Sequence, residues 1–323
     1  MIHAILINPT IDILYKISNF YVGGTFKVEE KLELPVGKAI SFAIAAREIN
    51  SELDLNIIAF IGQEEITRYS RFLNKKDINY EFIEIKGNTR SNKTIIDPIK
   101  RITTHIREKG FKVTLTNIQQ LKSIIKKRVE KDDFCVFGGS IPLGSNDDIY
   151  YELIKIIKKR QAISILDSSG IPLIKGCKAE PRIIKPNLKE LSQILNKKEI
   201  QSLTFKDPIK DSSELIQQAN KLLSVDLSLI LITLGEKGSI ILSNEYAYFG
   251  RVDLNEKIID TVGAGDSFLA GFMVEYSQGK DILTCFRNAI AAGAASCLEM
   301  GPGILNRKTK TRLLKKIMIK EIT

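Results

Sequence analysis

Asp260-Thr261-Val262-Gly263-Ala264-Gly265-Asp266-Ser267-Phe268-Leu269-Ala270-Gly271-Phe272 is the stretch on which the reading of this chain turns. Its three small residues let the backbone turn tightly and bring several N–H groups against a ligand. A helix starting at that turn adds unpaired donors and the positive end of its dipole, so the turn is suited to an anion. A carboxylate placed inside an anion site repels a phosphate held there. It has a use if Asp266 takes a proton from a hydroxyl while the N–H groups hold the phosphoryl group under attack. Taken alone, Gly263-Ala264-Gly265-Asp266 reads equally as a glycine turn followed by an Asp that caps a helix.

The surrounding chain supplies an α/β frame. Its 323 residues are 44% hydrophobic, and mean hydropathy is near zero. That suits one large soluble unit with an appendage. Short apolar strands alternate with amphipathic helices: Met1 to Ile7, a helix from about Ala39 to Asn50, and Leu55 to Phe60. A helix follows from near Gln63, and the rhythm returns with Phe134 to Phe137, a helix to about Lys159, Ala162 to Leu166 and Leu229 to Ile232. Such alternation predicts a mostly parallel sheet covered on both faces, with ligands beyond the carboxyl ends of its strands. Two segments, about 11–34 and 81–111, read as strands without helices and predict a small separate sheet.

Other functions are disfavoured by composition. No apolar run reaches the ~18 residues of a membrane span, and the start lacks a basic leader, so a cytoplasmic protein is expected. The net charge of +10 comes from lysines scattered in pairs, such as Lys126-Lys127 and Lys315-Lys316, rather than from a basic groove. We expect no nucleic acid or membrane partner. Cys135, Cys177, Cys285 and Cys297 form no C-x-x-C pair, and His3 and His105 are the only histidines, which argues against a metal centre built on them.

Several further strings join the first. Asn8-Pro9-Thr10-Ile11-Asp12 ends the first strand, and Pro35-Val36-Gly37-Lys38-Ala39-Ile40-Ser41-Phe42-Ala43 opens the first helix. Asn88-Thr89-Arg90-Ser91-Asn92 lies in the second lid segment. Gly138-Gly139-Ser140-Ile141-Pro142-Leu143-Gly144 and Asp167-Ser168-Ser169-Gly170 follow strands. Lys185-Pro186-Asn187-Leu188-Lys189-Glu190-Leu191 and Thr233-Leu234-Gly235-Glu236-Lys237-Gly238 complete the set. No Walker-type G-x-x-x-x-G-K-[ST] string is present, so phosphate binding falls to the Gly263 to Gly265 turn.

Over nearly its whole length the chain resembles the ribokinase/PfkB family of carbohydrate kinases, most closely the 1-phosphofructokinase group. The resemblance implies a ribokinase-like three-layer α/β/α sandwich in one kinase domain, residues 1–323, with the small β-sheet as a lid. It implies ATP and Mg²⁺, and fructose 1-phosphate as the substrate converted to fructose 1,6-bisphosphate. Fructose 6-phosphate, tagatose 6-phosphate, or an unphosphorylated sugar or nucleoside are the alternatives, and a sugar-phosphate-binding regulator is the non-enzyme one. Asp266 would be the base, with Gly263, Ala264 and Gly265 around the phosphoryl group. Asp12, Gly37, Lys38, Ser41, Asn92 and Ser140 would line the sugar site, with Arg90 and Lys27 on its phosphate. Lys185, Asn187, Thr233, Gly235 and Gly238 would meet the nucleotide beside the helix Ala289 to Ala295, and Asn187 and Glu190 would hold Mg²⁺ through water. A homodimer through the lid is a further implication. Val36, Ala39 and Ser41 depart from the family's G-G-K-G-x-N-x-A string, and the missing Asn amide removes a donor and an acceptor from the sugar contact.

Overall fold

A computed structural model describes residues 1–203 and 208–322. In chain order, β1 (Ile2–Leu6), β2 (Thr10–Lys16) and β3 (Glu30–Val36) precede α1 (Lys38–Ile49). Then come β4 (Leu55–Gly62), α2 (Ile66–Asn74), β5 (Asn79–Ile85), β6 (Ser91–Asp97), β7 (Ile102–Arg107) and α3 (Leu115–Arg128). A regular βα rhythm follows: β8 (Phe134–Gly138), α4 (Ile149–Lys159), β9 (Ile163–Asp167), α5 (Gly170–Cys177), β10 (Ile183–Ile184), α6 (Leu188–Leu195) and α7 (Pro208–Ala219). The chain closes through β11 (Leu229–Thr233), β12 (Ser239–Leu242), β13 (Ala247–Arg251), α8 (Ala264–Tyr276), α9 (Ile282–Ser296), α10 (Arg307–Leu314) and β14 (Met318–Glu321).

Ten strands form the large sheet in the order β14-β13-β12-β11-β10-β9-β8-β1-β4-β5. From β11 to β5 every pairing is parallel, and β12, β13 and β14 extend it as an antiparallel flank. The alternation of β1 shows why the molecule has three layers. Ala4 and Leu6 join the core under α1, α2, α8, α9 and α10, while Ile5 and Ile7 join the core under α3 to α7. The mostly parallel, doubly covered sheet expected from the sequence is therefore present.

The small sheet has the order β3-β2-β6-β7, with β2 and β6 parallel and both outer pairs antiparallel. Its extent corrects the expectation for residues 81–111. Residues 81–85 belong to β5 and pair with β4 in the large sheet, and Phe111 is buried in the large sheet's core. The physical reason is connectivity: α2 returns the chain to the sheet edge, where a parallel strand completes a βαβ unit before the lid begins.

Candidate active site

The two sheets meet at the carboxyl end of β1, and the quoted strings gather there. Lys38 opens α1, whose N-cap is Gly37 at φ 135°. Its ammonium nitrogen lies 2.6 Å from Oδ1 of Asp167, the last residue of β9, and Lys185 reaches the same oxygen at 3.3 Å. Asp167 and Lys185 are both almost fully buried. Burial by itself would push the Asp167 carboxyl up, but Lys185 and Lys38 reverse this and hold it below the usual range. Lys38 in turn keeps its proton, because Asp167, Asp266 and Glu190 outweigh its own desolvation.

Asp266 sits in the first turn of α8 and is 7% exposed. Burial raises its carboxyl to about 7; Lys38 and Lys185 oppose that rise, and Asp167 adds to it. A carboxyl poised there can hold or release a proton near neutral pH, as a general base must. The turn before it is built by Asp260, which accepts from Val262 N at 2.9 Å and Gly301 N at 3.2 Å. Gly263 adopts φ +78°, and a Cβ there would stand 2.6 Å from Pro302 Cα. At Gly265 a Cβ would come within 3.2 Å of Lys185 Nζ. The small residues thus allow a close approach of the helix start to both Lys185 and the 301–303 segment. No side chain caps α8; Ala264 N donates to Thr261 O at 3.3 Å, and the N–H groups of Gly265 and Asp266 are left for a ligand. The cap reading of Asp266 is accordingly not what the structure shows, since Gly263 occupies the N-cap.

At the root of the small sheet, Asp12 accepts from Thr10 Oγ1 and Asn92 Nδ2, both at 3.1 Å, on one carboxylate oxygen. Burial raises its carboxyl, against the pull of these two hydrogen bonds and of Arg90 and Arg107. Asn8 donates to Ser140 Oγ at 3.0 Å and Ile141 O at 2.9 Å, tying the end of β1 to the glycine turn after β8. Arg90 is brought beside Asp12, but its Nε and Nη2 donate to Pro9 O and Asn8 O, each at 3.2 Å. Two of its donors are thus used on backbone, and Nη1 is left for the phosphate contact expected from the sequence. Lys27 lies exposed in the loop between β2 and β3, and Ser41 is 1% exposed in the first turn of α1. The carbonyl of Ser41 lies 2.4 Å from where a Cβ of Gly303 would be, so α1 and the 301–303 segment touch backbone to backbone.

On the opposite side, Asn187 is the N-cap of α6 in a reciprocal box. Its side chain accepts from Glu190 N and the Glu190 carboxylate accepts from Asn187 N, each at 2.9 Å. Thr233 N donates to Pro186 O at 3.0 Å, which docks the Lys185-Pro186-Asn187 turn on the end of β11. Gly235 and Gly238 take φ +65° and +117° beyond it. α9 packs on α8 at small residues: a Cβ on Gly293 would lie 3.2 Å from Ala264 O. Among the described residues no group of three His, Cys, Asp or Glu side chains could hold a metal, and no helix is long and apolar enough to cross a membrane. Asp167, Asp260, Thr10 and Arg107 took no role in the sequence reading. Asp167, Asp260 and Thr10 stood in quoted strings, and Arg107 carried no signal.

Comparison with known proteins agrees with this layout. A tagatose-6-phosphate kinase of Staphylococcus epidermidis is 28% identical over 100% of both chains. A 1-phosphofructokinase of Bacillus subtilis is 26% identical over 93% of both. The crystal structure of phosphofructokinase-2 from Escherichia coli in complex with substrates and products superposes with a TM-score of 0.86, covering 97% of this chain and 98% of that one at 21% identity. The model of the pfkB family carbohydrate kinases matches residues 11–309, and with so much of the chain matched, this protein belongs to that family.

Proposed function

We propose that the protein transfers the γ-phosphoryl group of ATP to a hydroxyl of a phosphorylated ketohexose, with fructose 1-phosphate as substrate and fructose 1,6-bisphosphate as product. The observation that carries this reading is the buried Asp266 at the uncapped start of α8, its carboxyl held at about 7 beside Lys38, Asp167 and Lys185. In the proposed step the Asp266 carboxylate takes the hydroxyl proton, the freed oxygen bonds to phosphorus, and the bond to ADP breaks. The N–H groups of residues 263–266 and the Lys185 ammonium stabilise the charge on the transferring group.

Mg²⁺ would neutralise charge on the nucleotide phosphates. The donor set suits a hydrated ion: Glu190 uses Oε2 for the helix cap, and its second oxygen, with the Asn187 amide, can meet coordinated water. Asp12 and Asn92 would orient the sugar, Arg90 and Lys27 would face its phosphate, and the small sheet would be the lid. The exposed edge strand β7, with Ile102 and Ile106 half exposed, favours pairing of two copies through that sheet.

Tagatose 6-phosphate is the second reading, favoured by the similarity to the Staphylococcus kinase. A coupled ADP-release assay over fructose 1-phosphate, fructose 6-phosphate, tagatose 6-phosphate, free sugars and nucleosides tests both. Highest kcat/KM on fructose 1-phosphate supports the assignment. Preference for an unphosphorylated acceptor, or no turnover at all, overturns it.

A further inference from the structure

We infer that Tyr69 is a positioning residue for the sugar site, a buried hydroxyl that holds the root of the small sheet in the geometry Asp12 needs. Tyr69 lies on α2, is 0% exposed, and donates from its hydroxyl to Thr10 O at 2.7 Å and Val36 O at 3.1 Å. Thr10 and Val36 are paired residues, the first of β2 and the last of β3. They mark the point where both strands leave the large sheet. One hydroxyl proton therefore serves both strands at their common root, in a buried place where an unmet carbonyl is costly.

The neighbouring backbone strengthens this reading. The carbonyls of Asn8, Pro9 and Thr10 are consecutive, and each accepts from a side chain: the first two from Arg90, the third from Tyr69. Ile11 N donates to Arg90 O at 2.9 Å. The segment leading to Asp12 is thus gripped by Arg90, just before β6, on one side and by α2 on the other. The Thr10 hydroxyl then passes the constraint on by donating to Asp12 itself. No other element supplies a side chain to both β2 and β3 at this root among the bonds of the described residues. The Tyr69 ring also packs edge-on to Phe82 of β5, with centroids 6.3 Å apart, so α2 is anchored to the large sheet, while Arg68 beside it pairs with Glu33 of β3. A rigid post on one sheet that bonds the root of the other fixes the angle between them. Val36, one of the departures from the family string, contributes the second acceptor.

The inference rests on the proposed function only in assigning Asp12 to the sugar. Tyr69→Phe keeps the ring and removes the bonds. Hydrogen exchange of the ligand-free protein is expected to quicken about tenfold in β2 and β3, the scale of one lost net hydrogen bond, and to stay unchanged in β1 and β8. In turnover, the KM for the sugar phosphate is expected to rise about tenfold with the KM for ATP unchanged. Phe82→Leu is the packing control, expected to lower Tm without that split. Wild-type exchange in β2 and β3, an unchanged sugar KM, or the same split from Phe82→Leu would each overturn the inference. If no phosphorylated ketohexose is turned over by the wild type, the proposed function falls, and the exchange measurement still decides the role of Tyr69.

Discussion

On the proposed function, Asp266 is where a single proton decides the chemistry. If it is the base, Asp266→Asn leaves nucleotide binding intact and lowers kcat by ~100-fold or more; near-normal turnover by the folded variant removes it from the role. Its pH dependence has a definite sign. The base works deprotonated, so kcat/KM climbs as pH rises through about 7. Stability runs the other way: a carboxyl raised in the folded state keeps its proton between its unfolded value and about 7, so the fold loses stability across that window as pH rises. Asp266→Asn is therefore expected to melt higher than wild type above pH 7 while being inactive, which thermal scans at two pH values check. Ser41 offers the converse case. Ser41→Asn is expected to reorder kcat/KM among the sugar phosphates with the KM for ATP unchanged; an unchanged order with a lower Tm would make it a packing residue.

Among the elements, α6 would carry two duties on the proposed function, and one substitution separates them. Glu190→Gln can still accept from Asn187 N, so Tm is expected to hold, while the Mg²⁺ concentration for half-maximal rate rises; an unchanged Mg²⁺ requirement removes Glu190 from the ion. Asn187→Ala, which loses the cap, is expected to cost about 1 kcal/mol as well. Just before β6, Arg90→Lys keeps a charge but cannot grip Asn8 O and Pro9 O together, so it should raise the sugar-phosphate KM nearly as much as Arg90→Ala and leave that for ATP alone. Equal effects on both substrates would count against the assignment. These elements also show what a sequence can declare. The Lys185-Pro186-Asn187 turn and the Gly263 to Asp266 helix start were legible because capping and turning are local chemistry, written in adjacent residues. The alternation of Glu81-Phe82-Ile83-Glu84-Ile85 marks a strand but not its partner, and β4 rather than β6 turned out to be that partner. Arg90 and Tyr69 bond to backbone carbonyls, which every residue possesses, so no side-chain pattern foretold either contact. Asp167 read as a loop residue because its two lysines lie far away along the chain.

The whole molecule divides its labour between two sheets. The large one holds Asp167, Lys185 and the turn before Asp266, and the small one presents Asp12 and Asn92. If two copies join through the small sheet, Ile106→Lys on β7 is expected to give monomers in sedimentation and raise the sugar-phosphate KM more than that for ATP; a monomeric wild type would refute the arrangement. The strand order has a consequence for manufacture. β1, made before either of its neighbours, is flanked by β4 and β8, and Ile2 pairs with Phe134. At about 5–20 residues per second its second edge waits on the order of ten seconds for that neighbour. α8 and α9 arrive later still, after β13, and Phe268, Phe272 and Phe286 belong to the same core as Leu6, Ile40 and Phe42. One face of the sheet therefore stays bare until the last quarter of the chain is made, and a chain stalled before α8 would carry exposed apolar surface that invites aggregation.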